Sequence, residues 1–329
     1  MNGEPYLIYN LRTLYPFAHQ IIVVEGACPS AKAIATIDGH STDKTLSVLR
    51  QFKKEEDKDG KLIIVTAEDD GHKNGFWNEK DEMSVSYARR ATGNYIWQID
   101  VDEFYQPEAI SAVIKIIENN PSITRISFPM ITFWGGLEYK VDGFFLRQFI
   151  VHRIFSWRTG FRYISHRPPT VCDENGDIIG ESNIISDKEM KRFGIYLYHY
   201  ELLLPKQVHD KCTYYKNVKW TNMLSEVDKW YQNSYLKILN PFRVHMIYEH
   251  LSWLEKFENS HPPEIIKMMQ NIRSGCHQGI EIRQSDDIEL LLSSYYYKTI
   301  RMIFKYFVPV NNYKNWLIKI LASVVHKIY

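Results

Sequence analysis

Two carboxylates one residue apart, Asp100 and Asp102, directly follow the apolar run at 95–99 (YIWQI). Side chains placed just past a buried strand can turn towards one cleft. Hard oxygen ligands of this kind suit Mg²⁺ or Mn²⁺ carrying a diphosphate. The pair by itself is a short motif whose competing reading is a solvated turn. Two more apolar runs end in acids: Glu25 follows QIIVV and Asp38 follows ATI. In an open α/β sheet, ligands collect at the carboxyl ends of the strands, so three acidic strand ends mark a polar site.

The elements that must carry these acids can be read from the pattern. Residues 20–25 and 62–67 are short β-branched runs of the kind buried in parallel sheets. Between them, Leu46, Leu49 and Phe52 recur at helical spacing over 43–52. A second helix is expected over 79–92, with Met83, Tyr87, Ala88 and Ala91 on one face and Gly93 as a terminating glycine. Strand 95–99 follows, and Pro107 opens a helix to 119 at a first-turn position where proline is tolerated. Alternation of strands and helices predicts a parallel sheet with right-handed crossovers. Further strands are expected over 123–133, 144–155 and 192–200. Helices are expected over 206–220, 245–258, 264–273, 286–307 and 313–328. The reading is an α/β catalytic domain at 1–220 with a helical C-terminal extension at 221–329.

Composition narrows the function class. The 329 residues carry a net charge of +1, so no global field recruits nucleic acid. Cys28, Cys172, Cys212 and Cys276 are widely separated, which argues against a zinc knuckle and a disulfide scaffold and for reduced thiols in a cytoplasmic setting. The chain opens with neither a basic start nor an apolar run, and no stretch approaches the roughly 20 apolar residues that span a bilayer. A soluble or peripheral protein is expected.

Two longer motifs surround the acids. Asp38-Gly39-His40-Ser41-Thr42-Asp43-Lys44-Thr45 has the form D-x-x-S-x-D-x-T, and Ala91-Thr92-Gly93-Asn94-Tyr95 leads through an apolar run into Asp100-Val101-Asp102. Together, in this order and spacing, they resemble family 2 glycosyltransferases of the GT-A fold. Asn2-Gly3-Glu4-Pro5 is similar to the N-E-E start of that family's first helix, although relatives place a strand before it. The resemblance covers about 2–135 well and 136–220 more loosely. It implies a mixed, mostly parallel sheet flanked by helices, a nucleotide-sugar donor (a UDP-, GDP- or dTDP-sugar) and a glycan or lipid-linked acceptor.

Roles transfer residue by residue. The resemblance implies that Glu25 and Asp38 flank the base and ribose of the donor, accepting hydrogen bonds from a base N–H or from hydroxyls. Asp43 shares that role or serves the start of its helix, where a negative charge favours the dipole. Asp100 approaches the ribose or a water of the metal, and Asp102 ligates Mn²⁺ or Mg²⁺ directly. Glu103 points the other way and supports the loop. His199 resembles the late histidine that completes the metal site in many relatives. Lys73, Lys80 and Arg89 are cations available to the diphosphate. Trp134, with Gly135-Gly136, and the run 162–169 fall where the family places acceptor loops; an aromatic face there packs on a sugar or belongs to the core. Many relatives carry His-Glu near this run, whereas this chain has His166-Arg167, so that acid does not transfer. Asp173, Glu174 and Glu181 remain as candidate bases, in a segment that also reads as an ordinary turn.

The C-terminal end differs in charge. Residues 295–329 contain Lys298, Arg301, Lys305, Lys314, Lys319 and Lys327 and no Asp or Glu. In the expected last helix, Trp316, Leu317, Ile320, Leu321, Val324 and Ile328 share a face. This composition fits a helix resting on anionic lipid on the cytoplasmic side, or one packed on the catalytic domain. The leading expectation is a metal-dependent, inverting glycosyltransferase. The alternatives are a catalytically silent membrane-associated binding module and a nucleotidyltransferase, though the latter's Gly-rich phosphate loop is absent from the sequence.

Overall fold

The computed structural model describes residues 1–218, 227–246 and 250–307. In chain order the elements are α1 (Tyr6–Leu14), β1 (Ile21–Val24), α2 (Thr45–Glu55), β2 (Leu62–Val65), α3 (Lys80–Ala88), β3 (Tyr95–Trp97), β4 (Glu103–Phe104) and α4 (Pro107–Asn119). They continue with β5 (Arg125–Phe128), β6 (Met130–Trp134), β7 (Tyr139–Gly143), β8 (Val151–Ser156), β9 (Arg162–His166), β10 (Pro169–Cys172), β11 (Ile184–Ile185), α5 (Asp187–Arg192) and β12 (Leu197–Leu202). The remainder is α6 (Pro205–Lys216), α7 (Val227–Trp230), β13 (Ser252–Lys256), α8 (Pro263–Arg273), α9 (Asp286–Ser293) and α10 (Tyr295–Phe307).

Contacts divide the chain into two compact units. The first holds residues 1–130, 150–198 and 261–278, and the second holds 131–149, 199–260 and 279–329. These units interleave along the chain, where the sequence reading places one boundary at 220. Sequence periodicity carries no record of which distant segments meet.

In the first unit, β1 and β2 pair in parallel, Ile21 opposite Leu62, as their apolar runs predicted. Leu7 and Leu11 of α1 and Leu49 and Phe52 of α2 close over them in one buried cluster. A four-stranded sheet follows in the order β11-β5-β8-β3. Here β8 is antiparallel to both β5 and β3, and β11 is parallel to β5. The architecture is thus mixed α/β with helices on its sheets, and β3 takes an antiparallel neighbour. Alternation along β3 decides its faces. Ile96 packs with Ala88, Phe155, Tyr163 and Val171, whereas Trp97 turns to the cluster built on Ile110 and Val113 of α4.

The second unit contains the strand order β13-β7-β6-β12, with β13 antiparallel to β7. Trp134, Trp230, Tyr235, Trp253, Tyr297 and Phe304 fill its core.

Several expected elements change. The strand expected over 123–133 breaks at Pro129, which separates β5 from β6 and has no N–H to donate. Of 144–155, only Val151–Ser156 is strand. The strand expected over 192–200 begins inside a helix: Ser186 caps α5 in a full capping box with Glu189, and β12 starts at Leu197. Residues 252–256, expected as helix, form β13 because β7 offers an open ladder. The helix expected over 286–307 divides at Ser294, whose extended backbone (φ −58°, ψ 127°) interrupts it. The helix expected over 313–328 lies outside the described residues.

Candidate active site

The acidic loop after β3 is fastened from three sides. The Gln98 N–H donates to the Arg153 carbonyl of β8 (2.8 Å), which carries the ladder to the edge of the loop. Asp100 and Glu103 then bond reciprocally: the Glu103 N–H to the Asp100 carbonyl (2.9 Å) and the Asp100 N–H to Glu103 Oε2 (3.2 Å). From α1, the Asn10 amide donates to the carbonyls of Glu103 (2.8 Å) and Val101 (3.3 Å). Arg153 grips Glu103 with Nε and Nη2, the former at 2.8 Å from Oε2, and its Nη2 lies 3.4 Å from Asp100 Oδ2. Glu103 is buried and supports the loop, as its position beside the acids suggested.

Charge around Asp100 is mostly positive. Burial alone would raise its carboxyl pKa, but Arg153, Arg167, His166 and Lys80 outweigh that and hold it well below the usual range. Arg153 stays charged: burial opposes this, and Glu103 and Asp100 more than compensate. His166 and Arg167 form the turn between β9 and β10. The His166 backbone N–H donates to Asp81 Oδ1 (2.7 Å), and its Nδ1 shares a hydrogen bond with Ser84 Oγ (2.7 Å). Both partners lie on α3, whose first residue is Lys80. Burial pushes the His166 imidazole down to about 4, helped by Lys80 and Arg167 and opposed by Asp100, so it is neutral at pH 7.

The first motif builds a second wall. Glu25 is buried at the end of β1; its Oε2 lies 2.8 Å from His40 Nδ1, and its Oε1 accepts the Ser41 N–H (2.7 Å). The carboxylate thus holds the loop bearing Asp38. Asp38 itself is exposed, and a hydrogen bond from Thr36 lowers its pKa. Next to it, Gly39 (φ +81°) and Gly75 (φ +74°) bring two loops into backbone contact: a Cβ on Gly39 would lie 2.1 Å from the Gly75 carbonyl oxygen. Only glycine allows that approach and both of those backbone angles. Asp43 works for its helix, accepting the Thr45 N–H (2.9 Å) and the Glu4 N–H (3.0 Å).

Other sequence candidates are placed elsewhere. Arg89 sits just past the far end of the nine-residue α3 from Lys80, about 13 Å along the axis, and pairs with Asp70. Lys73 lies on an exposed loop. Asp173 and Glu174 follow β10 at the end opposite the His166–Arg167 turn, about 13 Å away at roughly 3.3 Å per residue. Asp173 Oδ1 accepts the N–H groups of Asn175 and Asp177 (both 2.9 Å), which is the ordinary turn reading. Glu181 is exposed, and its charge acts on Arg125. Trp134, expected to face a sugar, is fully buried in the second unit, donates its indole N–H to the Val244 carbonyl (2.9 Å) and has Arg283 over its ring at 4.8 Å. With no exposed face, it is core.

His199 also belongs to the second unit. Its Nδ1 lies 3.5 Å from Glu201 Oε1, which His245 Nε2 approaches equally, while Lys211 binds the other oxygen. Burial would raise the Glu201 pKa; Lys211, His199 and His245 drive it well below the carboxylate range.

Arg153 is the main site residue that the sequence reading missed. An arginine inside an apolar strand (VHRIFS) was its only signal. Among the described residues, no group of three His, Cys, Asp or Glu side chains is arranged around an ion position. The donor set still fits a divalent ion that arrives with its substrate. Asp100 has 40% of its side chain exposed, Asp102 is half-buried, and Mg²⁺-type sites need only one or two carboxylates beside phosphates.

Residues 19–172 match the model of the Glycosyl transferase family 2. No curated protein matches the chain. No helix among the described residues is long and apolar enough to cross a membrane. The match takes in β1, both motifs, the acidic loop and the β9–β10 turn, and residues 19–172 are accordingly a family 2 glycosyltransferase domain, whose general activity is glycosyl transfer.

Proposed function

We propose that this chain transfers a sugar from a nucleoside-diphosphate donor to a hydroxyl of a glycan or lipid-linked acceptor, with inversion and with Mn²⁺ or Mg²⁺. The observation that carries the reading is the ring of cations around Asp100 at a strand end inside the family domain. Asp100 and Asp102 would hold the ion, and the ion supplies charge neutralisation for the leaving diphosphate. Lys80 and Arg167, whose charges act on Asp100, would add fixed positive charge for the same oxygens. Arg153 and Glu103 keep the acidic loop in place while ligands come and go. Glu25, through His40 and Ser41, holds the loop that would meet the nucleoside. The neutral His166, anchored by Ser84 and Asp81, would hold the Arg167 turn near Asp100.

The test is thermal unfolding with UDP, GDP, dTDP and CDP, each with and without Mn²⁺. A ligand at about 100 times its dissociation constant adds roughly 2.7 kcal/mol. A metal-dependent shift with one diphosphate supports the reading and names the donor nucleotide; no shift with any of them defeats it. Asp102→Ala should abolish transfer while leaving the unfolding midpoint nearly unchanged, and a fully active variant removes Asp102 from the assigned role.

A further inference from the structure

Helix α10 has two apolar faces, and among the described residues only one of them is covered. Tyr297 and Phe304, seven residues apart, are buried against Phe242 and Trp253 in the core of the second unit. A surface helix normally presents polar residues on the opposite side. Here that side carries Tyr295 (80% exposed), Met302 (52%) and Tyr306 (71%), which fall within one narrow stripe at 100° per residue. Tyr296 (72%) and Ile303 (40%) extend the stripe along one flank. The other flank is basic: Lys298 is exposed, Lys305 reaches Glu255 (2.7 Å), and Arg301 donates to the Leu254 carbonyl (3.0 Å). Leu290 on α9, which packs beside α10, is also 75% exposed.

Charge selects the occupant. From 295 to 329 the sequence has no Asp or Glu and adds Lys314, Lys319 and Lys327 to the cations of α10. An aromatic and apolar stripe bordered by cations, followed by acid-free sequence, complements an anionic bilayer surface. Tyrosine rings seat at the headgroup level, apolar side chains sink beneath it, and lysines meet lipid phosphates. A protein partner would need acidic groups facing the basic flank and an apolar groove for the stripe, and nothing on this helix favours that combination over a flat anionic surface. We infer that the exposed stripe of α10, Tyr295–Met302–Tyr306 with Tyr296 and Ile303, docks this chain on anionic lipid.

The experiment is co-sedimentation of the full chain with phosphatidylcholine vesicles and with phosphatidylcholine–phosphatidylglycerol vesicles, at low and high salt. The wild type should pellet with the anionic vesicles only, and less so at high salt as screening weakens the electrostatic attraction. The triple variant Tyr295→Ser/Met302→Ser/Tyr306→Ser touches only exposed side chains and should keep the wild-type unfolding midpoint while partitioning at least about tenfold less. Lys298→Glu should weaken binding in the same direction. Equal pelleting on both vesicle types overturns the proposal, as does an unchanged partition of the triple variant. Failure of the wild type to bind either vesicle also overturns it and leaves residues 308–329 or a second copy of the chain as the cover of the stripe. Sedimentation of the lipid-free protein, compared between wild type and triple variant, separates those two.

Discussion

Replacing Arg153 by methionine removes the central cation of the site while keeping an unbranched stem of similar length. In the wild type the guanidinium makes two bonds to Glu103 and a third, longer one to Asp100. Glu103 is 1% exposed, so the variant leaves a carboxylate buried without its partner. Breaking such a pair from one side costs about 3–5 kcal/mol. At roughly 2–4 °C per kcal/mol for a domain of this size, the unfolding midpoint should fall by about 10 °C. Restoring neutrality with Arg153→Met/Glu103→Gln should recover most of that loss, because no unpaired charge remains. It should not recover transfer, because the Asp100 loop loses its grip and its charge partner. The linkage sign supplies a second readout. Asp100 titrates below its unfolded value, so its contribution is present at neutral pH and disappears as pH falls below about 4. In Arg153→Met that acid-side loss should be shallower. Chemical and thermal unfolding of the three proteins, with donor turnover measured alongside, would decide. A single variant within about 1 kcal/mol of wild type would refute the idea that this pair fastens the loop.

The remaining predictions concern neighbours. His166 titrates at about 4, below its unfolded value near 6.5, so wild-type stability should drop as pH falls through that window, and His166→Asn should show a smaller drop in urea midpoints. His40 shifts the other way: burial opposes protonation, but Glu25 and Glu68 raise its pKa. Its stabilising effect should be complete below about pH 6.5 and fade as pH rises through the raised value, a trend that His40→Ala should abolish. Asp173→Ala should keep donor turnover within a few-fold while costing about 1–2 kcal/mol from its turn bonds; loss of turnover would return Asp173 to the candidate bases. Trp134→Ala should cost about 3–5 kcal/mol as a core truncation, and Trp134→Phe should spare the donor KM; a large rise in KM with intact folding would contradict its placement.

Much of the first unit was legible in the residues. The runs 20–25 and 62–67, the leucine spacing before Phe52, and Pro107 at a helix start each report a local preference, and local preferences survive folding when the tertiary environment agrees with them. The same holds for Asp100, whose place at the end of a strand follows from the apolar run before it. A capping box at Ser186–Glu189 was written in the sequence, but a neighbouring alternation masked it.

What no pattern specified was partnership between distant residues. That β3 would lie antiparallel to β8, and so set Arg153 beside Asp100, depends on a pairing 53 residues apart along the chain. The β9–β10 hairpin determined that His166 and Arg167 would face the acids while Asp173 faced away; direction along a strand emerges only once its pairing is known. Trp134 shows the same limit, since an aromatic residue fits a sugar face or a core equally well until its neighbours are known. Sequence by itself determined the local elements and the chemistry of the acidic loop, because both act over a few residues. Tertiary structure decided which cations meet those acids, because charge interactions depend on distance through space and not along the chain.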